Sequence, residues 1–173
     1  MLKSLAIFVL ILCTILVVTH ARVIQPNDAK TIHNTCLETP NYEECKKYLT
    51  DDPKSSTADV SGLAQIMVNV MKDKANIGLN KINQLIESSS PDQKTALKSC
   101  ADKYNVIITI DVPQATEGLQ KRNPKLAMDS AVDASKAVSS CEKGFSGKSP
   151  LTTENLVMDR ASTITAHICR QLV

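Results

Sequence analysis

Histidine and cysteine most readily give a protein nucleophilic or metal chemistry, and this chain has three of the first and six of the second. His20 and Cys13 fall in the apolar opening segment, which leaves His33 and His167 at opposite ends of the chain. His167 stands two residues from Cys169 in a segment of helical period, a spacing that turns the two side chains apart. A Cys–His nucleophile or a metal site is therefore not expected. Asp51, Asp52, Asp102, Asp111, Asp129 and Asp159 follow no spacing that would bring two carboxylates together for acid–base work, and they read as solvated helix faces. Gly144-Phe145-Ser146-Gly147-Lys148-Ser149 contains Gly-Lys-Ser but lacks the first glycine and the preceding strand of a phosphate loop. It reads as a connection between helices. No cofactor is expected, and the chain reads as a binding module rather than an enzyme.

The remaining cysteines carry structural information. Lys3, an apolar run from Leu5 to Val18 and Thr19-His20-Ala21 form a basic start, a short apolar core and a small-residue cut site. Residues 1–21 are expected to be a secretory signal peptide, the run being too short to span a bilayer. Cleavage removes Lys3 and takes the formal charge from +2 to +1. A near-neutral chain with interspersed charges has no basic field for nucleic acid or an anionic membrane. After cleavage it is expected to stay off the membrane. An oxidising compartment suits two disulfides and one leftover thiol among Cys36, Cys45, Cys100, Cys141 and Cys169.

The elements that position these residues announce themselves by their caps. Ser90-Pro91-Asp92-Gln93 has the form of a capping box with proline at the first helical position, and Asn123-Pro124 and Ser149-Pro150 repeat the cap-then-proline pattern. Asn41-Tyr42-Glu43-Glu44 and Ser56-Thr57-Ala58-Asp59 are weaker starts. Between them apolar residues recur at helical spacing: Val60, Leu63, Met67, Met71, Ala75, Gly78, Ile82 and Leu85; then, less regularly, Leu97, Ala101, Tyr104, Ile108, Ala115 and Leu119. Ala131, Ala134, Val138 and Cys141 form a third stripe, and Val157, Ala161, Ile164, Ile168 and Leu172 a fourth. The β-branched run Val106–Val112 before Pro113 has strand propensity but no partner strand, and reads as part of a long helix kinked near Pro113. The expected fold is all-α: an N-terminal helical hairpin over residues 22–55 and an antiparallel up-down-up-down four-helix bundle over residues 56–173. If the second and third bundle helices turn near Arg122, Cys100 and Cys141 lie 22 and 19 residues from the turn, both about 30 Å away, and face each other. Cys36 and Cys45 flank the Pro40-Asn41 turn and can staple the hairpin, which leaves Cys169 unpaired.

Asn34-Thr35-Cys36-Leu37-Glu38-Thr39-Pro40-Asn41-Tyr42-Glu43-Glu44-Cys45 resembles the N-terminal hairpin of the plant invertase and pectin methylesterase inhibitor family. Ala58–Met67 resembles the opening of that family's first bundle helix, and Leu97–Tyr104 its cysteine-bearing second helix. The resemblance implies the same fold and the same two disulfides. It implies a partner enzyme bound one-to-one, either an acid invertase or a pectin methylesterase, and location in the cell wall or, alternatively, the vacuole. Invertase inhibitors of the family carry Pro-Lys-Phe at the start of the third bundle helix, where it enters the sucrose-binding cleft. Here Asn123-Pro124-Lys125-Leu126 stands in that place, with Leu126 for phenylalanine. The implied target contact is therefore Asn123, Pro124, Lys125 and Leu126, and the invertase branch is the nearer resemblance.

Overall fold

Several helices of the structure begin where a side chain or a proline relieves the orphan N–H groups of a first turn. The structure, a computed structural model, describes residues 27–173. The signal-peptide expectation, with Cys13 and His20, lies outside the described residues. Helices α1 (Asn27–Leu37) and α2 (Tyr42–Asp51) form a hairpin, and a 3₁₀ turn at Pro53–Thr57 follows. Asp52 starts that turn by accepting the Lys54 N–H at 2.8 Å, and Asp59 starts α3 (Val60–Ser88) by accepting the Gly62 N–H at 2.8 Å. The second long rod comprises α4 (Pro91–Val106), a π-turn at Ile107–Asp111 and α5 (Val112–Gln120). Helices α6 (Pro124–Lys143) and α7 (Thr152–Arg170) complete the bundle. Among the described residues there is no strand.

Two of the cap expectations need correction. Ser90 occupies the cap position of α4, but its hydroxyl makes no cap bond, so the expected box does not close. Helix α7 begins at Thr152 rather than after Ser149; the Ser149 hydroxyl instead accepts the Leu151 N–H at 3.1 Å.

The β-branched run is helical because the bundle needs it there. Ile107, Asp111 and Val112 are buried, and tertiary burial outweighs local strand propensity. Pro113 lacks an N–H and its ring crowds the carbonyl four residues back. The chain answers with the π-turn just upstream, where the Val112 N–H reaches five residues back to the Ile107 carbonyl. The extra residue explains why the second stripe is irregular. Ile107 is buried in place of the expected Ile108, which is half-buried.

The four rods form an antiparallel ring. Helix α3 packs against α4 and α7, and α6 packs against α5 and α7. Leu63, Met67, Met71, Ala75, Gly78 and Ile82 of α3 are buried, as are Ala127, Ala131, Ala134, Val138 and Cys141 of α6. On α7 the buried stripe runs through Met158 rather than Val157, with Ala161, Ile164 and Ile168 as expected. A polar network locks the disulfide end. Tyr104 donates its hydroxyl to Asn155 Oδ1 at 3.0 Å, and Asn155 donates to Glu142 Oε2 at 2.7 Å. The Tyr104 ring lies against Gly78, where an added Cβ would fall 2.2 Å from its Cε1, so that approach requires glycine.

Two disulfides are present, Cys36–Cys45 with Cα atoms 5.6 Å apart and Cys100–Cys141 with Cα atoms 5.0 Å apart. The hairpin is tied to α7 by an Arg160–Glu44 ion pair at 2.9 Å, by the His167 imidazole on the Glu38 carbonyl and by the Gln171 amide on the Thr35 carbonyl. Lys74 of α3 lies over the Tyr48 ring of α2, 5.2 Å from its centroid. No helix among the described residues is long and apolar enough to cross a membrane.

Candidate functional site

The side chains with chemical potential are committed to structure. His33 bonds the Tyr42 hydroxyl at 2.8 Å within the hairpin. His167 and Cys169 turn apart as their spacing requires. Cys169 is buried and free, and burial pushes its thiol up to about 12, which makes it a poor nucleophile. Among the described residues no group of three histidine, cysteine or acidic side chains is placed to hold a metal ion. Asp159 accepts from Ser135 at 2.5 Å, and Asp129 pairs with Lys125. Asp111 departs from the expectation of a solvated face: only 6% of it is exposed, inside the π-turn. Burial, and then the nearby Asp133 charge, push its carboxyl up to about 6. The Gly144–Ser149 segment is the loop between α6 and α7, with Ser146 and Gly147 at positive φ.

The corner between α5 and α6 is built differently. The Asn123 N–H donates to the Gly118 carbonyl at 2.7 Å and the Arg122 N–H to the Leu119 carbonyl at 3.2 Å. These two bonds form a Schellman ending, which demands a left-handed residue in Arg122's place. Arg122 adopts it, with φ 56°, although it is not glycine. Asn123 then serves twice. It closes α5 through its N–H and opens α6 through its side chain, which accepts the Leu126 N–H at 3.3 Å. Pro124 fixes the first helical residue. The turn therefore has almost no slack.

Gly118 makes the corner tight. A Cβ there would fall 2.8 Å from Ala127 N, 2.9 Å from Asn123 O and 3.2 Å from Leu126 Cβ. The last turn of α5 thus presses directly on the first turn of α6. Within this frame Asn123 and Lys125 are exposed, and Pro124 and Leu126 are half-buried. Leu126 is a partly seated residue whose Cβ faces Gly118. Lys125 pairs with Asp129 one turn on at 2.6 Å, both side chains mostly exposed. Such a pair is worth about 0.3–0.5 kcal/mol and opens easily. Beside the corner, Arg122 and Pro124 share an open groove of about 430 Å³ with Asp59 and Ser61 at the start of α3 and Leu172 beyond the end of α7. The corner thus sits at the end of the bundle where three helix termini meet.

The cap and proline at Asn123-Pro124 were legible in the sequence. Gly118, Arg122's conformation and the Asp129 partner were not singled out. A lone glycine inside a helical stripe was the available signal for Gly118.

Residues 30–172 match the family model of the plant invertase/pectin methylesterase inhibitors. A protein of Arabidopsis thaliana, "Cell wall / vacuolar inhibitor of fructosidase 1", is 39% identical over 142 residues, covering 82% of this chain and 69% of that protein. "Pectinesterase inhibitor 2" of the same species is 33% identical over 86 residues, covering 49% and 48% of the two chains. The crystal structure of a mutant form of a pectin methylesterase inhibitor from Arabidopsis superposes with a TM-score of 0.71 at 21% identity, covering 84% of this chain and 97% of that one. That likeness shows the shared helical-bundle fold. On the family match across nearly all the described residues, the chain belongs to the plant invertase/pectin methylesterase inhibitor family.

Proposed function

We propose that this protein is a secreted inhibitor of a plant acid invertase (β-fructofuranosidase) and blocks its sucrose-binding cleft with the corner Asn123-Pro124-Lys125-Leu126. It acts by binding one enzyme molecule, performs no catalysis itself and works in the cell wall, or alternatively in the vacuole. The observation that carries the reading is the corner's rigidity: a Schellman ending, a side-chain cap and a proline set four consecutive residues before any partner arrives. A prearranged loop loses little conformational freedom on binding, so more of its contact energy appears as affinity. The 39% identity to an inhibitor of fructosidase supports the same target class.

The chemistry follows from the side chains. A retaining glycosidase keeps two close carboxylates in its pocket. Lys125 is exposed and exchanges Asp129 for such a carboxylate at a cost under about 1 kcal/mol, gaining a charge-assisted hydrogen bond in a drier place. Pro124 and Leu126 supply apolar area beside it.

The second reading is inhibition of a pectin methylesterase through a broad helical face, supported by the 33% identity to a pectinesterase inhibitor. The test is to incubate residues 22–173 with acid invertase and with pectin methylesterase separately, beside the Lys125→Gln and Lys125→Glu variants. The invertase reading expects loss of invertase activity only, with inhibition weakened at least tenfold in Lys125→Gln and further in Lys125→Glu. Lys125→Glu also faces Asp129 one turn away, so Lys125→Gln is the cleaner variant. Inhibition of the esterase alone would transfer the assignment to the second reading.

A further inference from the structure

Three cations crowd the corner, and two of them are held. Lys121 pairs with Glu117 and Lys125 with Asp129. Arg122 is different: among the described residues its guanidinium has neither a hydrogen bond nor an ion pair. It is exposed, on the rim of the groove that also takes in Pro124. Asp59 lines the same groove, but its Oδ1 already caps α3 by accepting the Gly62 N–H at 2.8 Å. Of the three cations of the corner, Arg122 is therefore the one without an ion-pair partner among the described residues.

Local folding does not account for an arginine at this position. The Schellman turn needs a left-handed residue, which glycine supplies without strain and asparagine with little. An arginine at φ 56° is disfavoured there by about 1 kcal/mol, and no intramolecular contact of its side chain offsets that. Its guanidinium is a planar fork that matches a carboxylate through two parallel hydrogen bonds, which a lysine ammonium does not do.

We propose that Arg122 is a second cationic contact of the corner, a guanidinium that takes a carboxylate on the wall of an acid-lined sugar-binding cleft while Lys125 enters it. The inference rests on the invertase reading. Charge complementarity carries it: an acidic cleft meets a rigid corner on which the Arg122 guanidinium has no ion-pair partner and is held by its backbone one residue from the Asn123-Pro124 cap. Arg122 then sets the orientation of the inhibitor, with Lys125 as the inserted group.

The test compares inhibition constants against acid invertase for the parent, Arg122→Asn, Arg122→Lys and Lys125→Gln. Each is measured at about 50 mM and about 500 mM salt, where screening lengths differ roughly threefold. Asparagine keeps the left-handed turn, so the thermal midpoint of Arg122→Asn is expected to equal or exceed the parent's. Its inhibition constant is expected to rise about tenfold or more at low salt, with the gap narrowing at high salt. Lysine restores only part of that loss. An unchanged constant for Arg122→Asn, or an equal loss at both salts, overturns the inference. A parent that inhibits, a Lys125→Gln that fails and an Arg122→Asn that does not would sink this inference alone. A parent without effect on invertase would sink the reading beneath it.

Discussion

Replacing Gly118 with alanine tests whether the corner's geometry, rather than its composition, makes the contact. The new Cβ would stand 2.8 Å from Ala127 N and 2.9 Å from Asn123 O, against an ordinary contact of 3.4 Å. The shortfalls are about 0.6 and 0.5 Å, and both neighbours are backbone atoms that no rotamer change can move. The start of α6 must therefore shift away from α5 by roughly half an ångström, taking Asn123 to Leu126 with it. Overpacking of this kind costs about 1–3 kcal/mol, and the helix propensity of alanine over glycine returns about 1 kcal/mol. The net loss is about 1 kcal/mol, or a fall of about 2–4 °C in thermal midpoint for a domain of this size. Affinity should suffer more, because a contact constellation tolerates only about 0.5 Å of misplacement. We expect the inhibition constant against acid invertase to rise about tenfold or more. Gly78→Ala is the control. Its Cβ would strike the Tyr104 ring at 2.2 Å, far from the corner, so it should lower the midpoint more and leave inhibition by the folded protein unchanged. A Gly118→Ala protein that inhibits as well as the parent would refute the claim that this close approach positions the contact.

The burial of Asp111 makes stability depend on pH. Its carboxyl titrates at about 6 in the folded state and near 3.8 when unfolded, so its stabilising neutral form is fully present below about 3.8 and is lost as pH rises through 6. Ionisation then costs about 1–3 kcal/mol after allowance for screening. Asp111→Asn should raise the thermal midpoint at pH 7 while changing little at pH 4, and parallel profiles for the two proteins would contradict this. The disulfides should contribute by loop length: about 4 kcal/mol for Cys100–Cys141, with a separation of 41 residues, and about 2.6 kcal/mol for Cys36–Cys45, with 9. Denaturant titration of Cys100→Ser/Cys141→Ser and Cys36→Ser/Cys45→Ser should rank them in that order, and the reverse ranking would count against the entropic account.

Much of this molecule is local, and local things are written in the chain. Asn123-Pro124 marks a helix start because a side-chain acceptor and a missing N–H act within one turn. The stripe Leu63-Met67-Met71-Ala75-Gly78-Ile82 marks a buried face because periodicity needs only the helix's own geometry. Similar distances from the Arg122 turn paired Cys100 with Cys141 because two antiparallel rods share one rise per residue. Other features needed the assembled bundle. The run Val106–Val112 read both as strand and as helix, and its form as a π-turn reflects both Pro113 and the burial of Ile107 and Asp111. Asp111 looked like any solvated carboxylate until neighbouring helices desolvated it. Local signals of this kind are enough to show that the chain is helical, where most of its rods begin and which residues could stand at the corner. That Gly118 presses on Ala127, that Lys125 is paired and that Arg122 is not emerges with the packed bundle. Those facts depend on which atoms of separate turns end up within a few ångströms of each other, and a short-range signal carries no such distance.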